Sequence, residues 1–486
     1  MKKLILLLVT TIIATTAVIA QNEVDALRFS RIQYGGSARY WGLAGAYGAV
    51  GADFSSLSTN PAGMGMYKRS EVSFTPSFNA SKMSATFNGT YADDSKSGFN
   101  VGSIGAVLVT DNSNNGASGD WKNFQFGFGY NRLASFNSNY LINGNNPKTS
   151  LMVDYVNRSN GTAPADLGAF DTKLAYDANL LYRPNTAQNI YTADILGVTP
   201  FPGINQTKAV STNGYLGETV FAGSGNYMDR IYFGASLGVL SLRYEETSNY
   251  TETDNANAIP LLNSFNKYDY QLIKGTGYNL KLGVIVRATD WLRLGAALHT
   301  PSLFSKLNID YNTTISSNFT DNTLSSVQNS PLGSYTFDLN TPLKFIGSAA
   351  FIIGKSGLIS ADYEMVDYSK ARLSPSADFT NENQNIVDKY KATSNFRLGG
   401  EYRYGQMSFR AGYGFFGSPY KSNVNDGSGN LATLGFGYRT QDYFIDFAFT
   451  SYSMTEDYYL YGIDPANKVP LKTTNNMFMA TFGLKF

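Results

Sequence analysis

After its first twenty residues the chain has no run of eighteen or more apolar residues, yet it repeats strict two-residue alternation along most of its length. Phe124, Phe126, Phe128 and Tyr130 alternate with Gln125, Gly127, Gly129 and Asn131. Leu280, Leu282, Val284 and Val286 do the same against Asn279, Lys281 and Arg287, and Phe478, Ala480, Phe482, Leu484 and Phe486 form the last such face. Side chains of a strand point to opposite faces in turn, so each segment presents one apolar and one polar face. Helical membrane spans are excluded, because they need about 20 consecutive apolar residues.

Composition decides what the apolar face meets. Only 15% of residues are charged, while the chain holds 34 Tyr, 32 Phe and 47 Gly. Soluble chains carry about 25% charged residues. Few charges, many aromatics and a mean hydropathy of −0.20 suit a β-barrel with lipid outside and water within. The formal net charge of +1 points to no nucleic-acid partner. The absence of Cys removes lipoprotein anchors, disulfides and thiolate metal sites. No spacing suggests a metal site or a cofactor.

Residues 1–20 read as a signal peptide: Lys2 and Lys3, an apolar run from Leu4, and small residues Val18 and Ala20 before a cleavage point near Gln21. Fourteen strands are expected, at 71–91, 99–110, 123–134, 218–237, 240–250, 268–287, 291–315, 335–354, 357–373, 389–404, 407–418, 431–439, 443–454 and 476–486. Tight joints at 238–239, 288–290, 355–356, 405–406 and 440–442 alternate with long polar stretches. This is the rhythm of short periplasmic turns and longer extracellular loops, with both chain ends in the periplasm. Phe486, a terminal aromatic on an alternating strand, is the usual signal for the barrel assembly machinery. Two segments lack alternation: 21–68, rich in Gly and Ala, and 135–217, expected to be an extracellular insertion within a barrel domain spanning 69–486.

Ser37–Gly65 ends its small-residue run in Asn60-Pro61-Ala62-Gly63. This segment resembles the N-terminal hatch of the FadL/TodX (OMPP1) family of outer-membrane transporters for long-chain fatty acids and hydrocarbons. The blocks Phe396–Tyr404, Phe409–Tyr413 and Ser418-Pro419-Tyr420 resemble its late strands, and Leu294–Pro301 is a weaker echo. The resemblance implies an all-β, fourteen-stranded antiparallel transmembrane barrel whose lumen is plugged by residues 21–68. It also implies passive uptake of a hydrophobic small molecule and lateral exit into outer-membrane lipid beside a kinked early strand. Gly127 and Gly129, which interrupt packing in the third strand, are the candidates for that opening. Asn60 is expected to bond barrel backbone, with Pro61 setting the exit angle of the turn.

Strand parity turns Arg243, Arg287, Arg293, Asp362, Glu364, Arg397, Glu401, Arg403, Arg410 and Asp446 into the lumen, where cross-strand ion pairing accounts for them. Arg287, Arg293, Arg397 and Arg410 are also candidates to hold a ligand's carboxylate. His299, the single histidine, points inward too and is the one conceivable haem ligand. One His without an activated Ser or a metal-ligand pattern does not make a hydrolase. Besides uptake by a monomeric channel, the fold suits a type IX shuttle-like barrel that binds exported proteins. A general porin fits less well, since porins keep the lumen open.

Overall fold

The computed structural model describes residues 23–32, 34–111, 120–422, 424–462 and 465–486. The signal-peptide segment lies outside them. Nineteen hydrogen-bonded segments form one sheet. They join end to end into fourteen antiparallel strands that close on themselves. In chain order these are β1 (Glu71–Phe87), β2 (Thr90–Asp111), β3 (Trp121–Ser135 and Ser138–Asn146), β4 (Ile204–Tyr227), β5 (Ile231–Thr253), β6 (Leu262–Arg287) and β7 (Leu292–His299 and Leu303–Phe319). Then follow β8 (Ser326–Asn329, Gly333–Asn340 and Lys344–Ile353), β9 (Gly357–Asp367 and Arg372–Ser374), β10 (Ala392–Tyr404), β11 (Met407–Phe416), β12 (Gly429–Arg439), β13 (Tyr443–Tyr459) and β14 (Lys468–Lys485). Closure runs through β14 and β1, with Glu71 opposite Lys485 and Ala85 opposite Leu471. A closed barrel leaves no free sheet edge, which a lipid environment requires.

Interruptions in β7 and β8 coincide with Pro301, Pro331 and Pro342, residues that cannot donate to a ladder. Alternating side chains do face outward: Phe126 is 59% exposed and Phe128 57%, while Gln125 and Asn131 between and beyond them are fully buried. Trp121 stacks on Phe124 and Trp291 on Phe351 at the end where the short turns lie, forming part of an aromatic girdle. Among the described residues no helix is long and apolar enough to cross a membrane.

The strand boundaries differ from expectation in two ways. The joint at 238–239 does not exist; β4 and β5 meet at Met228–Arg230, where Met228 and Asp229 adopt positive φ and the Asp229 N–H donates to Asn226 Oδ1 at 2.9 Å. Gly238 lies mid-strand instead, where a Cβ would stand 2.3 Å from the Glu218 carboxylate. Strands also continue beyond the apolar belt, so β1 and β2 join at Asn88-Gly89 and residues 135–146 and 204–217 are largely strand. Above the belt the outer face meets water in place of lipid, so an apolar outward row is no longer demanded.

Residues 147–203 fold over the loop end through α4 (Leu151–Ser159) and α5 (Thr172–Asp177). Ser150 caps α4, accepting from the Met152 N–H. Buried Glu252 of β5 receives the Leu151 N–H at 2.7 Å and the Tyr250 hydroxyl at 2.6 Å. A carboxylate at a helix N-terminus satisfies otherwise unpaired N–H groups. Met152, Tyr155, Leu174 and Leu181 then pack with Phe87, Ile142, Phe265 and Leu471 of the strands in one apolar core.

Candidate functional site

The N-terminal segment runs down the lumen from the loop end. Helix α1 (Glu23–Ser30) meets α6 (Thr380–Lys389) there, with Glu23 paired to Lys389 and its carbonyl accepting from the Tyr390 hydroxyl at 3.1 Å. Below it come α2 (Ala38–Gly42), α3 (Ser56–Thr59) and a 3-10 turn at Pro61–Met66. Asp53 ties this hatch internally: it accepts from Ser37 Oγ at 2.8 Å, the Ser55 N–H at 3.0 Å and Ser55 Oγ at 2.7 Å.

The hatch is fixed to the wall by charge and by shape. Arg39 donates to Glu401 at 3.0 Å, and Arg410 joins Glu401 at 2.6 Å to Asp446 at 2.7 Å, all of them buried. Asp362 accepts the Tyr47 N–H at 2.9 Å and the Gly48 N–H at 3.0 Å. Lys281 pairs with Glu218, which also receives Ser58 Oγ at 2.6 Å.

Asn60 lies between hatch and barrel backbone. Its Nδ2 donates to Gly48 O at 2.7 Å and reaches Val284 O of β6 at 3.4 Å, while Oδ1 accepts the Ala62 N–H at 3.2 Å. Room for this turn comes from Gly234 and Gly283, paired across β5 and β6. A Cβ on Gly283 would lie 1.9 Å from Asn60 Oδ1, and one on Gly234 2.3 Å from the Pro61 carbonyl carbon. A Cβ on Gly63 would lie 2.8 Å from Ser56 Oγ and 3.1 Å from Gly51 Cα. Replacing Asn60 with Ala should lower the melting temperature, since stranding buried partners costs about 1–3 kcal/mol each; an unchanged melt would show the turn to be held by shape alone.

Arg293, Arg397 and His299, singled out by parity, serve the same attachment. Arg293 donates to Val50 O at 3.0 Å. His299 Nε2 lies 2.7 Å from Thr59 O, and its ring meets Tyr34 edge-on, so this nitrogen is engaged by the hatch. Arg397 pairs with Glu364 at 2.7 Å beneath Tyr34 and Phe416. Arg287 lies at the turn-end rim and pairs with Asp290 at 2.9 Å. None of Arg287, Arg293, His299, Arg397 and Arg410 lines the lumenal cavity, so these ligand-binding candidates are corrected: Arg293, His299, Arg397 and Arg410 are committed to the scaffold and Arg287 sits at a rim.

That cavity, of about 380 Å³, lies between α1 and the walls of β14, β1, β2 and β3. One side is apolar, with Leu27, Ile32, Trp41 and Leu133; the other carries Ser77, Asn79, Asn100 and Asn475. Arg28, Arg31 and Arg132 are the cations on its lining. Arg28 pairs with Asp25, and Arg31 donates to Gly427 O at 2.8 Å with Glu456 at 3.7 Å. Sequence reasoning missed all three. Two lie on the unpatterned hatch segment; Arg132 was signalled only by an Arg closing the outward row Phe124, Phe126, Phe128, Tyr130.

The cavity meets a break in the wall. Pairing of β2 with β3 runs from Asp111 opposite Asn123 to Ser103 opposite Asn131 and stops. Beyond it, the second segment of β3 pairs with β4 only. β3 is interrupted at Phe136-Asn137, where the Phe136 N–H donates to Gly214 O at 3.0 Å and Gly214 has φ +128°. Gly127 and Gly129 are not at this seam, because both sit in unbroken ladders with β2 and β4. Their missing side chains make room for the hatch: a Cβ would stand 2.6 Å from Leu57 and Met64 at Gly127, and 2.5 Å from Phe54 at Gly129.

The sequence profile of the outer membrane protein transport family (OMPP1/FadL/TodX) matches residues 225–482, more than half of the chain. The chain belongs to this family. Its fold is that of a Pseudomonas aeruginosa FadL homologue, with 15% identity, 94% of this chain and 99% of that one covered, and a TM-score of 0.57. The P. putida toluene transporter TodX gives 13% identity, 93% and 99% coverage and a TM-score of 0.56. The Ralstonia pickettii toluene transporter TbuX gives 14%, 93% and 99%, and 0.52. No curated protein matches the chain in sequence. FadL/TodX family membership makes this an outer-membrane transport barrel.

Proposed function

We propose that the protein carries hydrophobic small molecules, long-chain fatty acids or hydrocarbons, passively from the cavity beneath its loop-end cap sideways through the wall. The observation that supports this reading is the continuity of cavity and seam: Asn100 and Gly102 of β2 and Arg132–Asn137 of β3 line both. The hatch beneath offers no comparable route, being held by buried ion pairs and by backbone contacts too close for a Cβ. An apolar solute gains on entering, since removal from water is worth about 25 cal/mol per Å² of apolar surface, and no energy source is needed. The FadL homologue and the toluene transporters of the same fold support this choice of ligand class.

Uptake of palmitate and toluene by outer-membrane hosts lacking their own channel of this kind tests the reading. Expression of this chain should raise the uptake of at least one. The chain is free of Cys, so Asn100→Cys and Ala134→Cys can be bridged by a thiol-specific cross-linker across the seam. Bridging should abolish the gain. Uptake that survives bridging would refute the lateral route, and no gain of either solute would refute transport.

A further inference from the structure

The seam between β2 and β3 lacks backbone pairing, but side chains cross it: Asn88 Nδ2 donates to Asn145 O at 2.9 Å at its top, and two cations cross below. Arg132 Nε donates to Val101 O of β2 at 3.3 Å, its guanidinium lying over the Tyr215 ring at 5.0 Å. From the other side Lys96 of β2 reaches past β3 to β4, donating to Ser211 Oγ at 2.9 Å and Thr212 O at 3.0 Å. Neither cation forms an ion pair among the described residues. Each spends its charge on uncharged oxygens.

Their depth is defined by the outward faces of the strands. On β2 the exposed apolar row runs up through Leu108, Ile104 and Val101 to Phe99, and the next exposed positions are Ser97, Ser95 and Asp93. On β3 the row Phe124, Phe126, Phe128, Tyr130 ends at Arg132. The crossing bonds therefore lie where hydrocarbon gives way to headgroups, a level at which long cationic side chains keep their heads in water. A ligand moving from the cavity to lipid meets both cations at the mouth.

Resting on the lateral route proposed above, we propose that Arg132 and Lys96 are the specificity-determining residues of the seam: they latch it against neutral solutes and release it for amphiphiles with an anionic head. A carboxylate or phosphate monoester forms charge-assisted bonds about twice as strong as those between neutral partners. The 3.3 Å bond to Val101 O is longer than the usual range and is the weaker competitor. An anionic head draws the guanidinium and ammonium from their oxygen partners, and the seam parts as the tail follows. A neutral molecule of equal length offers nothing in exchange and leaves the latch shut.

Initial uptake rates of palmitate, hexadecyl phosphate and hexadecanol, equal in chain length, test this. The wild type should prefer an anionic probe over hexadecanol at least tenfold; which anion is faster tells carboxylate from phosphate recognition. The Arg132→Ala/Lys96→Ala variant should lose the preference by admitting hexadecanol, and Arg132→Lys should restore part of it. Spin labels at Asn100→Cys and Ala134→Cys should move apart with an anionic probe and stay put with hexadecanol. A wild type that moves all three alike would overturn the latch while leaving transport standing. So would a double variant slowed equally for all, or labels that ignore the anion. If no probe moves in the wild type, the transport reading itself falls.

Discussion

Exchanging Glu401 for Gln should loosen the hatch from a barrel that otherwise keeps its form. Glu401 is the shared anion between Arg39 of the hatch and Arg410 of the wall, at 3.0 and 2.6 Å, and Arg403 approaches it at 2.7 Å. Asp446 balances Arg410 and Arg439, so the cluster holds four cations against two carboxylates. Glutamine keeps the shape and removes one of the two negative charges. Breaking a buried pair from one side costs about 3–5 kcal/mol, because the stranded charge stays buried. The strand ladders of β10 and β11 do not depend on that charge, and their pairing from Asn395 to Tyr404 should persist. Protease digestion in detergent should therefore cut the 23–67 segment faster in the variant, and the melting temperature should fall. Removing Arg39 as well should recover part of the loss, since paired residues are not additive. Equal protease resistance in wild type and Glu401→Gln would show that backbone contacts alone seat the hatch.

How far the architecture could be read beforehand depends on which physics set each feature. Strands in contact with lipid on one side must alternate, so β10 to β12 were legible within three residues at each end. The strand tops above Phe99 and Phe78 turn their outer faces to water and their inner faces to the cap, and lost the signal. The β4–β5 turn was hidden because Met228 and Asp229 take the positive φ values for which glycine is the expected marker. Gly238, inside the expected joint, clears space for a carboxylate. Asn60-Pro61-Ala62 was legible through resemblance, and its contact with barrel backbone followed. The cavity was not, because it is made by the absence of pairing between β2 and β3, which neither strand records alone.

Glycine reading failed at Gly127 and Gly129 for a reason that carries a second large prediction. In this lumen glycines mark where the hatch presses on the wall, and Gly234 and Gly283 are the clearest pair. They face each other across β5 and β6 and form the dent that receives Asn60 and Pro61. Valine is a good strand residue, so Gly234→Val with Gly283→Val should leave both ladders formed. A Cβ at 1.9 Å from Asn60 Oδ1 and another at 2.3 Å from Pro61 cannot coexist with the turn as placed. Overpacking of this kind costs about 1–3 kcal/mol per site, and here the turn is the part able to yield. It should leave its dent, and water-filled passage past the hatch should follow. Single-channel recordings in planar bilayers should be silent or brief for the wild type and show sustained conductance for the double variant. Gly223→Val supplies the control, because a Cβ there meets nothing within 4 Å and should leave the channel closed. Should the double variant also stay closed, the ion pairs around Glu401, Asp362 and Glu218 would suffice to seal the lumen, and the glycine pair would serve fit alone.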